Sequence, residues 1–189
     1  NVTSISGGVI QTGTLNANRI QSNTLVSTQI SGDISTFTPI SYNSGLSSGV
    51  RVTVGDAKKV TTITAPGNSA SLSHRNMIVM QASVTADAHR ETINVIVRLR
   101  VGGTYDSSNE HVSGGTIVAS HSILFQEHDN TNDYTAVSTQ NVIVLLDQTA
   151  RSSSQTYNLE INASIADDDG SESNMAGFKS FTGMIIGTR

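Results

Sequence analysis

The sequence predicts an all-β protein in which a short repetitive β shaft leads into a jelly-roll-like β-sandwich head, the whole assembled as a trimer. Three observations carry this. Ser and Thr number 27 and 22 of 189 residues, beside 16 Gly and only 3 Lys, a mixture poor in helix formers and suited to strands and tight turns. Single aliphatic residues recur at a fixed step through the N-terminal part. Further on, strand-like runs succeed one another with turn residues between them and no helical period.

The fixed step comes first in the chain. Ile5, Ile10, Leu15, Ile20, Leu25 and Ile30 are spaced by five without a slip. An odd step flips the side chain to the other face of a straight strand, and in a helix five residues at about 100° each drift by about 140°. The chain must therefore bend once per repeat, and Gly7, Gly8, Gly13, Asn16, Asn18, Asn23 and Gly32 are residues that tolerate such bends. One copy cannot bury its own aliphatic row, so the segment needs stacked neighbours or identical chains around an axis. A flexible Ser/Gly linker is the alternative, but linkers do not place aliphatics in phase. Residues 1–40 are assigned to the shaft, 41–49 to a turn-rich linker and 50–189 to the head.

Within the head, strands are expected at 50–54 and 58–65, joined by a hairpin turn at Gly55-Asp56 and ended by Pro66-Gly67-Asn68. Runs at 77–86, 92–101, 116–125, 141–146, 156–165 and 178–186 complete eight, the pattern of a sandwich or jelly roll. In 156–165, Tyr157, Leu159, Ile161, Ala163 and Ile165 share one face while Asn158, Glu160, Asn162 and Ser164 share the other, the signature of a half-exposed strand. Val142-Ile-Val-Leu-Leu146 is apolar on both faces. Its second face is expected to meet another subunit along a three-fold axis. Phe181-Thr-Gly-Met-Ile-Ile186 resembles the last strand of trimeric jelly rolls of the complement and tumour-necrosis-factor type.

Composition narrows the chemistry. With 4% aromatics and no Trp, a large aromatic-lined pocket or base-stacking platform is hard to build. A net charge of −4 with scattered cations argues against a nucleic-acid partner. Zero Cys removes disulfides and thiolate metal sites. No apolar run approaches the roughly eighteen residues of a membrane span, so no membrane insertion is expected. A start at Asn1 without Met or leader suggests a piece of a longer chain.

Gly45-Leu-Ser-Ser-Gly49 matches the G-x-S-x-G nucleophile elbow, which needs a strand before Ser47 and a helix after it; residues 50–54 read as a strand, so a plain turn is expected and no catalytic residue is assigned. The acidic run Asp167-Asp-Asp-Gly-Ser-Glu172 lacks the spacing of a calcium loop and reads as a solvated tip. Gln126-Glu-His-Asp-Asn-Thr-Asn-Asp-Tyr134 combines amides, carboxylates and a Tyr ring, the groups of a shallow carbohydrate site, although a simple connecting loop has the same composition. Tyr105-Asp-Ser-Ser-Asn109 is a second loop of that kind. His121 falls in phase with Ile117, Ala119, Ile123 and Phe125 and is expected as a core histidine. No metal site and no cofactor are assigned.

Ile5-Ser-Gly-Gly-Val-Ile-Gln-Thr-Gly-Thr-Leu-Asn-Ala-Asn-Arg-Ile20 resembles a stretch near the C-terminal end of phage central tail-tip, host-specificity and related tail-fibre proteins. The resemblance implies a non-enzymatic homotrimer in the virion, outside the cell, with other tail proteins as neighbours and a distal domain on the host surface. A bacterial surface receptor, glycan or protein, is then the expected partner. Functional residues concentrate on loops held by a rigid scaffold, so the expected contacts are His128, Asp129, Asn130, Asn132, Asp133 and Tyr134, with Asp167, Asp168, Asp169 and Glu172. The alternative is a structural collar or trimerisation module that never touches a receptor. An enzyme acting on polysaccharide is disfavoured, because no acidic pair sits in a groove-forming repeat.

Overall fold

The computed structural model describes residues 34–46, 49–67, 74–86, 92–126, 137–167 and 175–188. The five-residue repeat at 5–30 lies outside them. Among the described residues there is no helix, and every strand pairing is antiparallel. In chain order the strands are β1 (Ile34–Asn43), β2 (Val50–Thr53), β3 (Ala57–Ala65), β4 (His74–Ala86), β5 (Thr92–Val101), β6 (Thr104–Asp106), β7 (His111–Ser113), β8 (Thr116–Phe125), β9 (Val137–Arg151), β10 (Gln155–Asp167) and β11 (Met175–Thr188).

They form two sheets. The first runs β1-β11-β4-β9 with β2 also on β11, and the second runs β3-β10-β5-β8. If β1 and β2 are read as one interrupted strand, each sheet takes alternate members of two nested Greek keys, which is the jelly-roll arrangement the sequence predicts. Both halves lie along β11: Asn43 pairs with Ser180 and Val50 with Phe178. The interruption closes tightly at Gly49, where φ is +73° and an added Cβ would lie 2.4 Å from the Phe178 carbonyl oxygen. Only glycine fits a left-handed backbone pressed that closely on its neighbour.

Alternation sets the core. Ile93, Val95, Val97 and Leu99 of β5 face Leu159 and Ile161 of β10, while Ile78, Met80, Ile143, Leu145 and Ile185 come from the first sheet, and all are fully buried or within 1% of it. Each such side chain contributes about 1.5–3 kcal/mol on leaving water. Tyr42 stacks on Phe181 at 6.0 Å, and Phe181 meets Phe178 edge-on at 6.1 Å.

The structure departs from the sequence expectation in three places. Residues 34–43 straddle the expected boundary between shaft and linker and form β1, paired with β11; the alternation Phe37-Thr-Pro-Ile-Ser-Tyr42 already carries the strand signal. Gly55-Asp56 is not a hairpin turn. Its flanking strands belong to different sheets, β2 on β11 and β3 on β10, so the turn is a corner between layers, held where the Gly55 N–H donates to the Ala163 carbonyl (2.8 Å) and Asn162 Nδ2 to the Asp56 carbonyl (2.6 Å). Third, β6 and β7 form a small separate hairpin between β5 and β8.

Candidate binding end and outer sheet faces

Strand register separates the two ends of the sandwich. At one end Ile34 pairs with Thr188, Thr188 with Arg75, and His74 with Arg151. At the other, Phe125 pairs with Ile93, Asp167 with Thr92, and Ala86 with both Val137 and Ala176. The strand ends that flank residues 127–136 and 168–174 therefore lie together, opposite Ile34. Of the expected contact residues, Asp167 is the last residue of β10. His128, Asp129, Asn130, Asn132, Asp133, Tyr134, Asp168, Asp169 and Glu172 lie outside the described residues, as does Ser47. Gly49 leads directly into strand β2, where a nucleophile elbow requires a helix. His121 is half-buried opposite Val97 on β8.

The end near Ile34 holds a buried polar cluster that no sequence motif announces. Tyr157 donates from its hydroxyl to Asp147 Oδ2 at 2.9 Å and accepts from Asn76 Nδ2 at 2.9 Å. The Thr149 N–H donates to Asp147 Oδ1 at 2.9 Å, and Arg151 Nε to Oδ2 at 3.0 Å. Burial works against the charged carboxyl, but these hydrogen bonds outweigh it and hold Asp147 below the usual carboxylate range. Burial, reinforced by the Asp147 carboxylate, pushes the Tyr157 phenol up to about 12. His74 is buried beside them with neither ring nitrogen hydrogen-bonded. Tyr157, Asp147, Asn76, Thr149 and Arg151 satisfy one another, and His74 stands outside that network.

The outer faces of the two sheets differ in chemistry. On the second sheet, Glu160 is 2% exposed although its strand position faces outward. Arg98 Nε donates to its Oε2 (2.7 Å) and Arg100 Nε to its Oε1 (2.6 Å). The β6–β7 hairpin folds over this face: Arg100 Nη1 donates to the Gly114 carbonyl (2.6 Å), Lys59 lies 4.6 Å over the Tyr105 ring, and Lys58 pairs with Glu110 at 3.1 Å. Its tip also satisfies the edge of β3, since the Lys59 N–H donates to the Glu110 carbonyl (2.7 Å) and His111 Nδ1 to the Ala57 carbonyl (3.0 Å). The loop Tyr105-Asp-Ser-Ser-Asn109 thus belongs to this cover, with the Asp106 carboxylate taken up by Ser108 and Asn109.

The outer face of the first sheet has no such cover among the described residues. Register aligns Phe37, Ile186, Met77 and Leu146 in one cross-strand row, and Pro39, Met184, Val79 and Val144 in the next. Val142 is 66% exposed, Phe37 63%, Val144 43% and Met184 42%. The expectation of a second apolar face on 142–146 holds as geometry: Ile143 and Leu145 fill the core while Val142 and Val144 face out. The face continues onto β1, β4 and β11, where Met77-Ile-Val-Met80 and Met184-Ile-Ile186 are also apolar on both sides.

No family model and no curated protein matches the chain. Among solved structures, the chain is similar to the VP2 subviral particle of infectious bursal disease virus, at 10% identity over 80% of this chain with a TM-score of 0.37. It is also similar to the T13 particle of the same virus, at 9% identity over 81% with a TM-score of 0.34. The chain spans about a third of the length of those chains, 33% and 35%. Scores of this size give the likeness no weight for function.

Proposed function

We propose that this chain is the host-contacting end of a homotrimeric virion fibre, which attaches to a bacterial surface receptor through residues 126–134 and 167–174. The observation that supports this best is the placing of strand ends: those flanking both segments lie at the end of the sandwich opposite Ile34, the residue reached from the five-residue repeat. A fibre that enters at one end and binds at the other needs that polarity. Side chains on such loops are free to meet a ligand, because the inward strand faces are committed to the core. Three copies of each loop would sum weak contacts into useful avidity.

The test uses the full chain, fluorescently labelled, on a panel of whole bacterial cells, with Asp129→Ala/Asn132→Ala/Tyr134→Ala and Asp167→Ala/Asp168→Ala/Asp169→Ala as variants. Saturable binding to some cells, weakened in at least one variant without change in assembly or melting temperature, is the expected result. Undiminished binding by both variants overturns the loop assignment. A trimer that binds no cell but is retained by other virion proteins points to the collar reading.

A further inference from the structure

We infer that the outer face of the β1-β11-β4-β9 sheet is where copies of this chain meet, with Phe37, Pro39, Met184, Val79, Val142 and Val144 at the contact. The inference deepens the trimeric-fibre reading by naming the face; it needs neither a receptor nor the distal loops.

The face is a surface built of two complete apolar rows rather than scattered exposed side chains. At about 4.8 Å between strands the rows reach about 15 Å across the sheet. Elsewhere Leu46, Ile117 and Leu124 are exposed singly, which is ordinary for a protein surface. A flanking row on the side of the distal loops, Ser41, Thr182, Gln81 and Val142, is uncharged and apolar only at Val142, and a shallow groove beside it is lined by Asn43, Gln140 and Ser180. Among the described residues, charged side chains reach this face only past the two apolar rows, at Arg75, Arg51 and Lys179.

A second copy is the occupant that fits. The two apolar rows carry no charge, so two copies would meet there without confronting like charges or burying an unpaired one. Strand addition is disfavoured at two of the four sheet edges. Pro39 sits in β1, the strand at one edge of the sheet, with no N–H to offer a further strand, and the β3 edge of the other sheet is already occupied by the hairpin tip. The chain before Ile34 carries the aliphatic row Ile5 to Ile30, whose burial by identical chains around an axis, one of the two arrangements that the sequence allows, would be continuous with this contact.

The absence of Cys makes the test clean. Val144→Cys, exposed on the apolar face, and Ser122→Cys, exposed on the other sheet, are introduced separately into the full chain and treated with a short bismaleimide. Val144→Cys should give covalent multimers and Ser122→Cys should not. In sedimentation the parent should run as a trimer, and Val142→Lys/Val144→Lys should raise the concentration at which monomer and assembly balance by about a hundredfold or more, since it places charges in a contact that excludes water. Both positions point outward, so an unchanged far-UV β signature should accompany the loss. A monomeric parent, equal cross-linking at both cysteines, or a Lys variant that assembles like the parent overturns the inference. So does a monomer whose Val144→Cys thiol is shielded from alkylation, which would mean that the chain covers its own face. Loss of cell binding with cross-linking intact would strike the receptor reading and leave this one standing.

Discussion

Asp147 and Tyr157 show how much a single buried polar group asks of its neighbours. Replacing Tyr157 with Phe removes the hydroxyl that donates to Asp147 and accepts from Asn76, leaving a buried amide and one carboxylate oxygen short of partners. A loss of about 1–3 kcal/mol is expected, measurable as a lower urea midpoint with an unchanged slope. The same pair sets a pH window. Asp147 is held below its ordinary value, so its contribution is present above about pH 4 and is lost as pH falls through the lower folded value. Tyr157 is raised from 10.0 to about 12, so its contribution is complete below pH 10 and is lost as pH rises toward 12. The urea midpoint should therefore decline at both extremes, and Tyr157→Phe should flatten the alkaline decline. A smaller fall should remain from Tyr42, also raised by burial. These residues were legible in part: Asp147 is in phase with Ile143 and Leu145, and Tyr157 with Leu159. What alternation cannot say is that two inward polar residues from strands in different sheets will find each other.

Elements were readable where they were apolar. The expected runs at 92–101 and 116–125 coincide with β5 and β8, while β4 starts at His74 instead of 77 and β9 extends to Arg151 instead of 146. Both shortfalls have one cause: the strands continue past the apolar core into the polar cluster, where His74, Asn76 and Asp147 interrupt the hydrophobic signal. The strands β6 and β7, three residues each, are too short to carry a period. Glu160 read as exposed because a local pattern cannot see a hairpin folding over it. Turn chemistry marks where a chain bends without saying whether the next strand joins the same sheet, which is why Gly55-Asp56 read as a hairpin. Gly49 combines a positive φ with a crowded backbone. Gly49→Ala imposes both a left-handed L-residue and a clash with the Phe178 carbonyl. It should cost well over about 1 kcal/mol, and loss of hydrogen-exchange protection should concentrate at the β2 pairing, Val50 to Thr53 with β11.

At the scale of the molecule, the jelly roll converts local alternation into polarity: the repeat is joined at one end, the strands flanking the two polar segments end at the other, one broad face is partly covered by its own hairpin, and the opposite face has no cover among the described residues. The candidate site was legible only as composition, because the loops that carry it gave no geometry in sequence, and their common end emerges from registers between distant strands. The pairing of β1 with β11 has a mechanical consequence. If tension runs from a tethered distal loop to the repeat, it enters at Ile34 and travels along β1, whose partner β11 lies antiparallel beside it from Thr188 to Ser180. Such a pull runs parallel to the strands and loads that ladder in shear. The cross-strand bonds share the force and must slip together, whereas a pull across the strands would peel them one at a time. Forced unfolding is governed by the rate of crossing that barrier rather than by equilibrium stability, so a domain without a disulfide gains resistance to pulling from the direction in which its first strand is held.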